Sequence, residues 1–173
     1  MARATTLTRR EFFHDVVIQT RQALPEELRD FQSSVTMNLV KLHYGYPRLH
    51  YEVWANARDN HIEVGLHFED GPESTDRLLA FFDGHIVEIK HEVGPELDLE
   101  RWTQSWGHLY QILPYQPLTE ALARDVAARL GRMIAVLQPL LTEADARARL
   151  GAGTDGADAP RLATRGRRGW RRR

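Results

Sequence analysis

Four side chains that can bind metal ions recur in alternation along residues 48–70. His50 lies two residues before Glu52, and His67 lies two residues before Glu69. Alternate residues of a β-strand point to the same face, so each His and Glu would share a face if both segments are strands. Imidazole and carboxylate groups bind zinc, iron and manganese. The spacing indicates either a metal site or exposed opposite-charge pairs that only support a sheet; the absence of a dense ligand motif favours the second interpretation.

The whole segment from residue 48 to residue 70 alternates as a β-hairpin. A two-residue turn at Asp59-Asn60 gives one face on which every cross-strand pair is apolar. The pairs on that face are Ala57/Ile62, Ala55/Val64, Val53/Leu66 and Tyr51/Phe68. The opposite face pairs His50 with Glu69, Glu52 with His67 and Trp54 with Gly65. A slip of one residue would mix the two faces, and Trp54 becomes a natural contact residue if a partner covers the polar one.

A second cluster of candidate binding residues follows at Trp102 and Trp106, which are separated by Thr-Gln-Ser. Tryptophan is enriched at protein interfaces because one edge of the ring is polar and the rest is apolar. Core packing is the alternative for such a pair near a strand end.

Residues 81–93, FFDGHIVEIKHEV, fit two structures. A hairpin about Asp83-Gly84 would resemble the end of a metal-dependent nuclease site at Glu88, but neither of its faces is consistently apolar. A helix over residues 72–93 would place apolar side chains along one face. Pro72 would lie in its first turn and Gly94 just after its end. We therefore predict the helix. Its stripe consists of Leu78, Phe82, Ile86, Ile89 and Val93.

The remaining patterns complete the predicted architecture. A capping box at Thr8 and Glu11 opens a helix over residues 8–24, and residues 34–43 favour a strand. Two short strands or one bent strand follow Gly94, and a long helix begins at Pro117. The sequence thus predicts an α+β fold in the order α-βββ-α-ββ-α, with helices packed on one face of an antiparallel sheet. Residues 1–150 form the single domain.

The C-terminal segment differs in composition from the rest of the chain. Residues 151–173 are almost without apolar side chains, so we expect them to be disordered. Residues 161–173 hold seven arginines and no acid, whereas the first 160 residues carry 16 cations against 24 acids, a net charge of −8. Arginines can neutralise phosphates and Trp170 can stack on a base, so non-specific nucleic-acid binding is one hypothesis. Its candidate residues are Arg165, Arg167, Arg168, Trp170, Arg171, Arg172 and Arg173.

Composition excludes several classes of site. The chain has no cysteine, so thiolate metal sites, disulfides and cysteine nucleophiles are absent. GAGTDG at residues 151–156 matches a dinucleotide-binding pattern, but a predicted helix precedes it where a strand is required. We predict no cofactor and no bound metal. The absence of a secretory or membrane-spanning segment, together with the preference for arginine over lysine, indicates a cytoplasmic protein of a GC-rich bacterium.

The chain resembles an uncharacterised family of small bacterial α+β proteins. Three segments carry the resemblance: HYEVWANARDNHIEVGLHFED, LDLERWTQSWGHLY and LTEALARDVAARLGRMIAVLQPLL. That resemblance spans residues 8–142 and implies no activity, cofactor or catalytic residue. The predicted order of elements is also similar to that of type III secretion chaperones, which are dimeric binding proteins. This likeness concerns the fold alone and transfers no function.

We therefore predict a non-catalytic binding module that recognises a protein partner or a second copy of itself. Its candidate binding residues are His50, Glu52, Trp54, His67, Glu69, Trp102 and Trp106. One alternative is a metal-dependent hydrolase that uses the His and Glu side chains of the hairpin. The other is a nucleic-acid-associated protein that binds through the arginine tail.

Overall fold

A six-stranded antiparallel sheet forms the centre of the molecule, in the spatial order β1-β2-β3-β4-β6-β5. The computed structural model describes residues 5–154, and the side chains of residues 5–148. The strands are β1 (Gln32–Val35), β2 (Leu39–His43), β3 (Leu49–Asn56), β4 (His61–Phe68), β5 (Asp98–Arg101) and β6 (Gly107–Pro114).

Four α-helices and one short 3-10 helix (Glu26–Leu28) accompany the sheet within the described residues. The α-helices are α1 (Arg9–Ala23), α2 (Pro72–Asp83), α3 (Ile86–Val93) and α4 (Glu120–Thr154). The predicted capping box is present at the start of α1, where Thr8 and Glu11 bond to each other's backbone N–H groups. α4 continues through Pro139 and includes the first four residues of the predicted tail. The α+β class predicted from the sequence is confirmed.

The predicted hairpin between residues 48 and 70 exists, but its register is wrong by two residues. Ala55 lies opposite Ile62, Tyr51 opposite Leu66, and His50 opposite His67. The loop is longer than expected, because Asn56 ends β3 by bonding to Asp59, and Asn60 takes a left-handed conformation with φ 59°. A shift of two residues keeps every side chain on its predicted face. The polar residues that lie opposite each other therefore differ from the predicted pairs, although the polar face consists of the predicted residues.

The segment 72–93 is helical as predicted, but it forms two helices. α2 ends at Asp83 and α3 begins at Ile86, with His85 between them at φ −115° and ψ 7°, outside the α-helical region. The apolar stripe survives, since Leu78, Phe82 and Ile89 are buried.

Residues 34–43, predicted as one strand, form parts of two. A turn at 36–38 separates β1 from β2, and Thr36 N–H donates to the carbonyl of Leu39 across it. The first half of the chain therefore contributes four strands where three were predicted.

The helices cover one face of the sheet. Phe82 of α2 stacks on Phe68 of β4 with ring centroids 5.6 Å apart, and Tyr51 of β3 donates to the Gln138 side chain of α4. The core lies between these two layers. Its buried apolar strand residues are Val40, Leu42, Leu49, Tyr51, Val53, Ala55, Ile62, Val64, Leu66, Phe68 and Leu109.

Candidate metal centre

Three histidines form a row across the uncovered face of the sheet. His50 of β3 lies directly opposite His67 of β4, and His67 lies directly opposite His108 of β6. On the far side of His108 is Glu100 of β5. Opposed residues of neighbouring strands lie close enough for their side chains to touch. The imidazole rings of His50 and His67 are accordingly stacked at 5.5 Å, and those of His67 and His108 lie 5.2 Å apart.

Gly65 lies between Glu63 and His67 on the same face of β4 and has no side chain to separate them. Glu63 and His67 are four residues apart, roughly 13 Å along an extended strand, yet their side chains meet at 3.0 Å. A side chain at position 65 would also crowd β6, since a Cβ there would lie 2.8 Å from the carbonyl oxygen of Leu109. Glycine at this position thus allows both the strand pairing and the convergence of the two side chains.

Two imidazoles meet at the carboxylate of Glu63. Nε2 of His67 lies 3.0 Å and Nδ1 of His108 lies 3.2 Å from the same oxygen, Oε1. Burial alone would raise the pKa of Glu63, but hydrogen bonds from His108 and then His67 outweigh it and lower the pKa to about 2. Glu63 is therefore a buried carboxylate that stays ionised because nitrogen donors surround it.

His50 and Glu52 face each other without a hydrogen bond. The ring of His50 is fully buried, and its Nδ1 lies 2.9 Å from the carbonyl oxygen of Pro47, which can only accept. Nδ1 therefore carries the proton, and in the neutral ring Nε2 presents a lone pair. Nε2 lies 3.4 Å from Oε2 of Glu52, beyond the usual range of an N–H···O bond, and no other described group bonds to it. Oε2 also pairs with Nζ of Lys41 at 3.4 Å, so Nε2 of His50 is the atom left without a partner, and a proton or a metal ion there would supply one.

Lys41 supplies one positive charge at the margin of the site. Its Nζ lies 3.4 Å from Glu52 and 3.5 Å from Glu69. Burial raises the pKa of Glu52, but the combined influence of His50, His67 and Lys41 outweighs it and leaves the pKa below its usual value. Glu69 lies farther out, 3.9 Å from His50.

Two groups of side chains bring possible ligand atoms close together. His50, Glu52 and His67 form one group, and Glu63, His67 and His108 form another, with the ligand atoms of each group within 4.8 Å of one another. In a tetrahedral zinc site with bonds of about 2.0 Å, the ligand atoms lie roughly 3.3 Å apart. The contacts at 3.0, 3.2 and 3.4 Å lie near that value, and the first two are also ordinary hydrogen-bond distances. His67 belongs to both groups and is the central residue of the site.

Aromatic side chains border the histidine row on the β5–β6 side. Trp102 stacks on His108 at 5.6 Å and meets His67 edge-on at 5.9 Å, while Trp106 lies 5.8 Å from Trp102. Tyr110 stacks on His108 at 4.0 Å and donates to Glu100. Trp102 remains 49% exposed, so it shields the histidines and also presents ring surface to solvent.

The structure brings together most of the predicted binding residues. His50, Glu52 and His67 meet in the site, Glu69 lies at its edge, and Trp102 packs over it. Trp106 forms the outer rim, whereas Trp54 packs on His61 at a distance from the histidine row. The interpretation of the His and Glu side chains as exposed pairs is wrong for His50, Glu52 and His67, because these three are buried.

Sequence reasoning missed two members of the site, Glu63 and His108. The alternation of the hairpin had placed Glu63 on the polar face, so its omission was avoidable. His108 joins the site only because β6 pairs with β4, and no local pattern reveals that pairing.

Comparisons with known proteins add no family. No protein-family model matches the chain, and no curated protein matches it. Within the described residues no helix is long and apolar enough to span a membrane. The predicted arginine tail and its Trp170 lie outside the described residues.

Proposed function

We propose that the protein is a metal-binding module that holds a divalent first-row transition ion on the uncovered face of its sheet. His67 is the ligand common to both groups, His50 and Glu52 complete one group, and Glu63 and His108 complete the other. The observation that carries this proposal is the buried Nε2 of His50, which faces a carboxylate and forms no hydrogen bond with any described group.

His50 has the arrangement that is typical of a metal-binding imidazole. Ligating histidines usually donate the second ring N–H to a carbonyl or carboxylate, which fixes the tautomer and aims the other nitrogen at the ion. The bond from His50 Nδ1 to Pro47 serves this purpose. A proton on Nε2 of His50 could also bridge to the Glu52 carboxylate, and a metal ion would then have to displace that proton.

The donor set selects the class of ion. Three imidazole nitrogens and two carboxylates suit zinc, iron, manganese or cobalt, whereas calcium and magnesium prefer shells made of oxygen. Cysteine is absent from the chain, so soft ions that require thiolate are not favoured. Zinc is the first ion to test, because imidazole nitrogen and carboxylate oxygen are among its usual ligands.

The number of ligands does not by itself separate binding from catalysis. A catalytic zinc site typically keeps three protein ligands and an open position for water, whereas a structural site is filled by four. Each group here supplies three side chains, and the two groups share His67. Hydrolytic activity of the metal-loaded protein therefore distinguishes the binding module from the hydrolase alternative.

The test is the metal content of the full-length, tag-free chain after it is stripped with chelator and reloaded. With zinc, manganese, iron(II) and cobalt supplied separately, wild type should retain about one ion per chain with at least one of them. His67→Ala should lose the ion. His61→Ala is the matched control, since His61 lies on the same strand outside both ligand groups.

Two results would contradict the proposal. One is a wild-type protein that retains none of the four ions after desalting. The other is equal retention by His67→Ala, with circular dichroism confirming that both variants are folded. Hydrolysis that depends on the bound ion would instead favour the hydrolase alternative.

A further inference from the structure

The edge of the sheet at β1 has backbone groups that pair with no described strand. Among residues 5–154, β1 is the terminal strand and pairs only with β2, antiparallel. Such an edge is a template for another extended chain. It also carries none of the lysines or prolines that proteins commonly use to block an edge, since its sequence is Gln-Ser-Ser-Val.

The alternation of hydrogen bonds identifies the free groups. Thr36 N–H donates to Leu39 across the turn, so these two residues form a hydrogen-bonded pair. Bonded and non-bonded pairs alternate in an antiparallel ladder. Ser34, opposite Lys41, is then bonded to β2, whereas Ser33 and Val35 direct their N–H and C=O groups away from the sheet. Those two residues are the available positions for a further strand.

A groove of about 570 Å³ runs beside this edge, between β1 and α1. Ser33 and Val35 line it from the strand side, and Arg10, His14 and Val17 line it from the helix side. The helix residues occur at spacings of four and three, so they share one face of α1. Met37, which is 79% exposed, lies at the end of the groove.

The groove is cationic, although the first 160 residues carry a net charge of −8. Arg9 and Arg10 line it beside His14, and no carboxylate does. Among the described residues, none of these three side chains forms an ion pair with an acid, and Arg9 bonds instead to the Asn38 side chain. A cationic patch on a body of net charge −8 attracts anionic partners to one place.

We propose that an extended, acidic segment of a partner protein binds in this groove as an added strand on β1. Backbone bonds to Ser33 and Val35 would set its register, and its carboxylates would lie against Arg10 and His14. A second copy of β1 fits less well, because antiparallel pairing of two identical edges would bring two cationic grooves together. The proposal is independent of the metal centre, which lies on β3, β4 and β6.

The probe is a fluorescein-labelled nine-residue peptide that alternates glutamate and threonine, with a lysine–threonine peptide for comparison. Fluorescence anisotropy with the full chain should show binding of the glutamate peptide only. Arg10→Glu should weaken it about tenfold or more, whereas Arg58→Glu, which makes the same charge change in the β3–β4 turn, should not. The seven tail arginines also attract acidic peptides, so each measurement is repeated in a full-length chain with those arginines replaced by glutamine.

Substitution of the edge itself separates strand addition from simple charge attraction. Ser33→Pro removes an outward N–H without removing a bond to β2, and it should weaken binding about tenfold. Ser33→Thr keeps the N–H and should bind like wild type. Hydrogen exchange should show new protection at Ser33 and Val35 when the peptide is bound.

Three results would overturn the proposal. The first is glutamate-peptide binding that disappears in the tail-neutral chain. The second is binding without protection at Ser33 and Val35. The third is protection of these two amides without any peptide, if it increases with protein concentration and a dimer appears in sedimentation. That result would assign the edge to self-association.

Discussion

Nε2 of His50 and Oε2 of Glu52 lie 3.4 Å apart on β3, buried and without a hydrogen bond between them. Because an ion that fills this gap binds only the folded state, it should stabilise the protein by RT ln(1 + [ion]/Kd), about 4 kcal/mol at a thousandfold excess over Kd. Thermal unfolding with and without zinc measures this stabilisation. His50→Gln should abolish most of it and His61→Gln should not. An unchanged zinc response in His50→Gln would remove His50 from the ligand set.

Gly65→Ala tests the close approach of β4 and β6. The added Cβ would lie 2.8 Å from a backbone oxygen, so the strands must shift, and we expect a loss of about 1–3 kcal/mol in the free energy of unfolding. Gly84→Ala is the control, because Gly84 has helical φ −63° and its Cβ would meet nothing closer than 3.4 Å. That change should be neutral or slightly stabilising. Urea unfolding compares the two, and equal stabilities would show that position 65 tolerates a side chain.

Phe82→Ala should destabilise the protein by about 3–5 kcal/mol, because Phe82 is fully buried and stacked on Phe68. Phe81→Ala, at the half-buried neighbouring position, should cost distinctly less. Chemical denaturation of both variants measures the difference. A loss below about 1 kcal/mol for Phe82→Ala would place that ring outside the core.

The protein should lose stability in alkali through Tyr44. Burial raises the pKa of this phenol from 10.0 to about 12, an effect that Arg21 only partly offsets, and its hydroxyl donates to the Leu28 carbonyl at 2.6 Å. The unfolded chain releases the proton near pH 10 and the folded chain near pH 12, so this contribution is complete below pH 10 and falls as the pH rises towards 12. Unfolding free energies across this range should fall less steeply in Tyr44→Phe. Identical slopes would assign the alkaline loss to other groups.

Any nucleic-acid affinity should reside in residues 161–173, because the rest of the chain is acidic. A full-length chain with the seven tail arginines replaced by glutamine should lose binding to single-stranded DNA at low salt. Gel-shift titration checks this. Undiminished affinity would move the site into the folded domain, where the β1 groove is the first candidate.

Local patterns in the sequence determined which segments are helical or extended and which hairpin residues share a face, but not where every element begins and ends. The capping box fixed the start of α1, and strict alternation assigned His50, Glu52 and His67 to one side of the hairpin, because a strand has a period of two. The register of that hairpin was wrong, since its loop depends on a bond between Asn56 and Asp59 and on the backbone of Asn60. The break between α2 and α3 at His85 was also missed, because the same apolar stripe fits one helix or two.

Burial and convergence at the candidate site came only from the tertiary structure. The alternation of residues 48–70 could not show that β6 pairs with β4, and this pairing brings His108 to Glu63 across 45 residues of chain. It also brings Trp102 over the histidine row, which turns a predicted exposed face into a buried site. The sequence by itself determined which side chains share a face, a local property of the strand period. The tertiary structure decided which strands are neighbours, because strand pairing depends on contacts between distant parts of the chain.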